Sequence, residues 1–115
     1  MKKIYHLSTC DTCKRIRTEL ELSSDFIFQD IKTEAITVSQ IEEMQDLAGS
    51  YEALFSKRAR LYKERDLKNK SLSEGDYKKL ILEHYTFLKR PVIIIEDQIF
   101  IGNAKKTVEA AKLAK

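Results

Sequence analysis

The sequence predicts one α/β domain, in which a strand–helix–strand unit and a strand–strand–helix unit flank a helical middle. Two observations support this: apolar runs alternate with helical periodicity at both ends of the chain, and the most apolar run directly follows the only proline. At 115 residues the chain is long enough to bury a single core. The predicted boundaries are a single domain over 1–115, a core formed by 1–31 and 89–115, and a helical insertion over 32–88.

The amino-terminal unit is predicted to be a parallel βαβ unit. A short apolar run gives way to the polar Ser8-Thr9-Cys10, and Cys13, Ile16 and Leu20 then follow at helical spacing. A strand, a helix and a strand within about 30 residues form a right-handed crossover. The predicted elements are a strand over Lys3–Leu7, a helix over Thr12–Leu22 capped by Asp11 or Thr12 and ended by Ser23–Asp25, and a strand over Phe26–Ile31.

The middle and the carboxyl-terminal part carry clear boundary signals. Thr37 and Ser73 each begin a capping-box pattern, Gly49 is placed to end the first of these helices, and Pro91 opens a buried central strand. Glu96-Asp97 predicts a tight hairpin turn. The predicted elements are a helix from Thr37 to Gly49, a helical segment over Tyr51–Tyr62, a helix from Ser73 to about Glu83, strands over Val92–Ile95 and Gln98–Ile101, and a helix over Ala104–Ala114.

Composition and charge narrow the class of protein. The chain is 43% hydrophobic and 34% charged, which is typical of an ordered globule. A net charge of +3 is too small to indicate direct nucleic-acid binding. No apolar stretch approaches the roughly 20 residues of a membrane span, and the apolar run at the amino terminus is too short for a signal peptide. We therefore expect a cytoplasmic protein without a membrane partner.

The two cysteines form the motif Cys10-Asp11-Thr12-Cys13, directly after the first predicted strand. A helix amino terminus lowers a thiol pKa, so Cys10 is the predicted nucleophile and Cys13 the resolving thiol. Such a pair beside a βαβ unit is typical of a thioredoxin (glutaredoxin-like) fold. The alternatives are two inert buried cysteines, or a zinc site completed by His6 and His84. The spacing favours the redox pair, with no bound metal or cofactor.

Other candidate site residues each have a second interpretation. His6 either favours the Cys10 thiolate electrostatically or packs against its neighbours. Arg90 could recognise a thiolate, an oxyanion or a carboxylate, or lie in solvent. Arg58 and Arg60 belong to a basic stretch that is either a cationic patch or, with acidic residues interleaved, a solvated helix face.

These features together resemble the arsenate reductase (ArsC) and Spx group of thioredoxin-fold proteins. The resemblance covers essentially the whole chain. It implies a fold of β-α-β, a helical insertion, then β-β-α, with a cis Pro91 facing the active-site cysteine. The motifs that carry it are Ile4-Tyr5-His6 leading to Cys10, Cys10-x-x-Cys13, Ser56–Tyr62, and Leu88–Ile94 with its Arg90-Pro91.

On the arsenate reductase side, the resemblance implies that Cys10 attacks a small oxyanion and that Arg90 and Pro91 contribute to its binding. Glutathione with glutaredoxin, or thioredoxin, would be the electron donor. Ser56 and Gly102 stand where those enzymes have further arginines, so Arg58 or Arg60 would have to substitute. Cys13 also replaces a small hydroxyl residue.

On the Spx side, the resemblance implies a regulator that uses Cys-x-x-Cys as a redox switch and binds the RNA polymerase α subunit. Gly49 is a candidate counterpart of a glycine that contributes to that contact. Two hypotheses therefore stay open: a thiol oxidoreductase acting on a disulfide or on arsenate, and a redox-sensing regulator.

Overall fold

A computed structural model describes residues 2–21 and 26–115. The chain divides into two compact units, one formed by Met1–Glu34 with Arg90–Lys115 and the other by Ala35–Lys89. The elements of the first unit are β1 (Lys2–His6), α1 (Asp11–Leu20), β2 (Ile27–Asp30), β3 (Val92–Ile95), β4 (Gln98–Ile101) and α5 (Lys105–Ala114). The helices of the second unit are α2 (Val38–Ala48), α3 (Arg60–Glu64) and α4 (Glu74–Glu83), with short 3₁₀ turns at Glu52–Leu54, Leu67–Asn69 and Tyr85–Phe87.

The strands of the first unit form a four-stranded mixed sheet in the order β2-β1-β3-β4. Strand β1 is parallel to β2, with Lys3 opposite Ile27, and antiparallel to β3, with Tyr5 opposite Val92. Strands β3 and β4 pair as the expected hairpin. The parallel βαβ unit and the buried central strand are therefore confirmed. Cys10 follows β1, one of the two central strands.

The core of the first unit lies between the sheet and helices α1 and α5. Isoleucines of β1 and β3 meet the apolar stripes of both helices, so both helices are held by burial of one face. This packing fixes α1, and with it the cysteine motif, against the sheet. The buried residues of this cluster are Ile4, Ile16, Leu20, Phe26, Ile93, Ile95, Val108 and Ala111.

Two helices of the second unit begin where the sequence predicts. Thr37 caps α2 and Ser73 caps α4, each in a complete capping box, and Gly49 ends α2 with a left-handed φ of 93°. Within the part of the chain that is described, no helix is long and apolar enough to cross a membrane.

The predicted helix over Tyr51–Tyr62 is wrong. A 3₁₀ turn at Glu52–Leu54 ends in extended backbone at Phe55, and α3 starts only at Arg60. Phe55 pairs with Leu88 in an isolated antiparallel bridge, flanked by hydrogen bonds from Ser56 N–H to the Phe87 carbonyl (2.7 Å) and from Lys89 N–H to the Leu54 carbonyl (2.9 Å). Pairing with a distant segment has replaced the local helical preference.

The first helix also differs from its prediction at both ends. It begins at Asp11, with Cys10 at the N-cap position, so neither Asp11 nor Thr12 is the cap. It ends at Leu20, because Glu21 adopts a left-handed conformation with φ 51°. The predicted stop at Ser23–Asp25 lies outside the described residues.

Candidate active site

Cys10 lies at the junction between β1 and α1. Its backbone is extended (φ −91°, ψ 117°), its N–H donates to the Leu7 carbonyl at 3.0 Å, and its own carbonyl accepts the Lys14 N–H at 3.1 Å. The thiol is free and half-buried. The local fold therefore places a reachable sulfur at the amino terminus of a ten-residue helix.

The pKa of the Cys10 thiol lies below its usual value of 9.0. Partial burial opposes this shift, but it is outweighed by hydrogen bonding from the Cys13 N–H and thiol and from the Thr12 N–H, and by the positive charge of Arg90. The first helical turn and one nearby guanidinium thus stabilise the thiolate, which is the reactive form of cysteine.

Cys13 is fully buried, and its pKa is raised to about 11. Burial is the main cause. The Cys10 sulfur adds to it through a hydrogen bond and through its negative charge, while the Leu7 N–H and the charge of Arg90 act in the opposite direction. Two cysteines one helical turn apart therefore have opposite protonation preferences. This difference follows from their positions, one at the helix end and one on its buried face.

Arg90 and Pro91 belong to the same unit as the cysteines. The peptide bond between them is cis, as the family resemblance implies. Pro91 is buried and its carbonyl accepts the Gly102 N–H at 2.9 Å, while Arg90 is half-buried. Because its charge lowers the pKa of both thiols, Arg90 lies close enough to act on the cysteine pair.

His6 is 5% exposed and packs its ring edge-on against Phe28, with ring centres 5.8 Å apart. Its pKa is lowered by burial and by Arg17, with Asp30 acting in the opposite direction. A neutral imidazole packed in this way fits the packing interpretation. A tuning role for His6 at Cys10 stays a prediction.

One contact that the sequence did not predict joins the loop before Cys10 to strand β2. The Ser8 hydroxyl donates to the Asp30 carboxylate, whose other oxygen accepts the Lys32 N–H at 3.1 Å. The Ser8 hydrogen bond is the main reason that the Asp30 pKa is lowered. The two residues are 22 positions apart, so only the parallel pairing of β1 with β2 could have indicated their proximity.

The other predicted residues belong to the second unit. Arg58 is exposed, and Arg60 forms an exposed i,i+4 ion pair with Glu64 at 3.2 Å. The His84 ring accepts the Thr86 N–H at 3.2 Å. Over residues 2–21 and 26–115, no three His, Cys, Asp or Glu side chains are grouped as a metal site requires.

The mixed sheet with helix α1 starting at a cysteine pair defines a thioredoxin-like protein. Residues 5–111 match the model of the ArsC family, and the chain belongs to that family.

Known proteins similar to this chain include both regulators and reductases. The global transcriptional regulator Spx 2 of Bacillus anthracis is 27% identical over 105 residues, covering 89% of this chain and 79% of the relative. A possible arsenate reductase from Streptococcus mutans UA159 is 26% identical, with a TM-score of 0.77 over 96% of this chain and 97% of the other. An arsenate reductase from Vibrio cholerae has a TM-score of 0.79 at 18% identity, covering 99% and 97% of the two chains, and supports the fold alone.

Proposed function

We propose that this protein is a thiol-dependent oxidoreductase in which Cys10 is the nucleophile and Cys13 the resolving thiol. The observation that carries the proposal is the position of the two sulfurs one helical turn apart, with Cys10 at the N-cap of α1 and Cys13 on its buried face. Their pKa shifts support the same division of roles, since the pKa of Cys10 is lowered and that of Cys13 is raised. Cys10 is half-buried and reachable, whereas Cys13 is fully buried. The substrate therefore meets Cys10 first.

In the first step, the Cys10 thiolate attacks one sulfur of a substrate disulfide. The substrate S–S bond breaks, a mixed disulfide forms, and the leaving thiolate takes up a proton. In the second step, Cys13 loses its proton and attacks the Cys10 sulfur, which releases the second substrate thiol and leaves a Cys10–Cys13 disulfide. The substrate gains two electrons and two protons, and the protein dithiol loses them.

The structure also suggests how Cys13 becomes active only in the second step. Part of the increase in its pKa comes from the Cys10 sulfur, through a hydrogen bond and through negative charge. Both contributions disappear once Cys10 is bonded to the substrate, so the Cys13 pKa falls when its thiolate is needed. Glutathione with glutaredoxin, or thioredoxin, would then reduce the internal disulfide.

Arg90 has the role of stabilising negative charge on the leaving sulfur or on a bound oxyanion. Arsenate is a candidate substrate for the same site, with Pro91 beside it. A contribution of Arg58 or Arg60 to anion binding stays a prediction. His6 has the proposed role of tuning Cys10. A reducing cytoplasm suits a working pair of free thiols.

The test couples NADPH oxidation, through glutathione reductase, to glutathione and glutaredoxin, with a model disulfide and arsenate as separate substrates. We expect turnover of the disulfide that is lost in Cys10→Ser, and accumulation of a trapped mixed disulfide in Cys13→Ser. Arg90→Met should reduce the rate, whereas the matched change Lys89→Met on the neighbouring exposed residue should not. Wild-type turnover no higher than that of Cys10→Ser on both substrates would refute the proposed oxidoreductase activity.

A redox-sensing regulator is the second candidate, because relatives that match this chain are named global transcriptional regulators. In that case the Cys10–Cys13 disulfide would change the surface at the start of α1 and alter affinity for the RNA polymerase α subunit. Pull-down of that subunit with oxidised protein, reduced protein and Cys10→Ser tests this candidate. Equal or absent capture in all three would rule it out.

A further inference from the structure

The helical unit contains a concentrated region of positive charge, which we call the basic segment (residues 57–70). Its net charge is +5, so the rest of the chain carries −2. Every lysine and arginine in it is exposed. The small net charge of +3 is therefore the sum of one strongly basic segment and a weakly acidic remainder.

A cavity of about 330 Å³ opens within this basic segment. Its size lies at the lower end of the range for small-molecule sites. Tyr62 forms part of the wall and is held in place by edge-on packing of its ring against Phe55, with ring centres 5.9 Å apart. The lining residues are Lys57, Tyr62, Lys63, Asp66 and Lys68.

The positive charges that line the cavity are not equally available to a ligand. The Lys57 ammonium pairs with Glu52 at 3.1 Å, which offsets much of its charge. Lys63 and Lys68 form no ion pair with any residue that the structure describes. Asp66 is the opposing charge, and its carboxylate accepts a hydrogen bond from the Asn69 amide at 2.7 Å.

We propose that this cavity binds a ligand carrying a diphosphate or triphosphate group. Ammonium groups bind phosphate oxygens as point charges, and the phenol of Tyr62 supplies a further donor. A singly charged anion gains little here because Asp66 offsets one lysine, whereas a ligand with three or four charges interacts favourably with Lys63 and Lys68 together. None of the residues that line the cavity has a role in the proposed cysteine chemistry.

The group could be part of a nucleotide or of inorganic polyphosphate. Calorimetric titration of the full chain with tripolyphosphate, pyrophosphate, ADP and adenosine at about 50 mM salt distinguishes these sources. We expect tripolyphosphate and ADP to bind and adenosine not to bind. Tighter binding of ADP than of pyrophosphate indicates a nucleotide, and equal affinity indicates an inorganic ligand; both results support the site.

Three variants locate the binding. Lys63→Gln with Lys68→Gln should weaken tripolyphosphate binding about tenfold, since two exposed charge pairs are lost. The control Lys105→Gln with Lys106→Gln removes the same charge from the start of α5 and should leave affinity nearly unchanged. Asp66→Asn should tighten binding, because it removes the opposing charge. Asparagine tolerates the left-handed backbone at this position (φ 51°) and keeps an acceptor for Asn69.

Three results would overturn the proposal. The first is absence of tripolyphosphate binding at millimolar concentration to folded wild-type protein. The second is equal weakening by the two lysine pairs, which would mean that net charge alone attracts the anion. The third is binding of a single-stranded oligonucleotide without binding of tripolyphosphate, which would make the basic segment a nucleic-acid surface rather than a ligand site.

Discussion

Replacement of Ile16 by alanine tests whether core packing holds the cysteine helix in place. Ile16 is 1% exposed and lies three residues after Cys13, within the cluster that joins α1 to the sheet. Ile16→Ala removes three carbons, worth about 2.4 kcal/mol in transfer free energy. The cavity left behind raises the expected loss in free energy of unfolding to about 3–4 kcal/mol. Ile16→Val removes one carbon and should cost about 1 kcal/mol.

Two measurements check this prediction. Urea unfolding followed by circular dichroism gives the free energies. Alkylation of Cys13 in a Cys10→Ser background reports the fraction of molecules in which this fully buried thiol is exposed, because the protein must open locally before the thiol can react. A loss of about 3 kcal/mol should raise the alkylation rate on the order of a hundredfold. A loss below about 1 kcal/mol in Ile16→Ala, or equal losses in the two variants, would refute the packing argument.

Three further outcomes are expected. Ser73→Ala should lower the free energy of unfolding by about 1 kcal/mol in urea titration, since the hydroxyl accepts a backbone N–H in the first turn of α4, and Ser73→Asp should restore it. Asp30→Asn should destabilise the protein most at neutral pH. The pKa of Asp30 is lowered by Ser8, so the difference from wild type should vanish as pH falls below 3.8, and a constant difference would contradict the assignment. In Arg90→Met, burial and helix N–H groups are retained and only the positive charge is lost, so the Cys10 pKa measured by alkylation across pH should rise; an unchanged pKa would show that Arg90 does not act on the thiolate.

Local patterns were sufficient to predict most of the elements. The capping boxes at Thr37 and Ser73 and the apolar run Val92–Ile95 depend on neighbouring residues, and the structure has all three. The family resemblance indicated the cis bond before Pro91, which no local pattern encodes.

Two features that were not predicted share one physical cause. The segment Tyr51–Tyr62 has helical periodicity, yet Phe55 pairs with Leu88, 33 positions later. The Ser8–Asp30 contact likewise depends on the alignment of β1 with β2. Contacts between distant segments decide both cases, and a single sequence carries no local signal for them.

The two functional hypotheses make different demands on the same cysteine pair. A catalyst must reopen the Cys10–Cys13 disulfide in every cycle, so its reducing partner must reach the sulfurs. A switch has to hold the disulfide long enough to change a bound partner, so slow reduction is an advantage. In the reduced protein Cys13 is fully buried and Cys10 is half-buried. A reductant that attacks the disulfide at Cys10 regenerates the Cys13 thiol directly, whereas attack at Cys13 requires α1 to move. The rate at which glutathione with glutaredoxin, or thioredoxin, reduces the disulfide therefore discriminates between the hypotheses. Reduction by either system as fast as turnover supports the enzyme, and reduction over many minutes by both supports the switch.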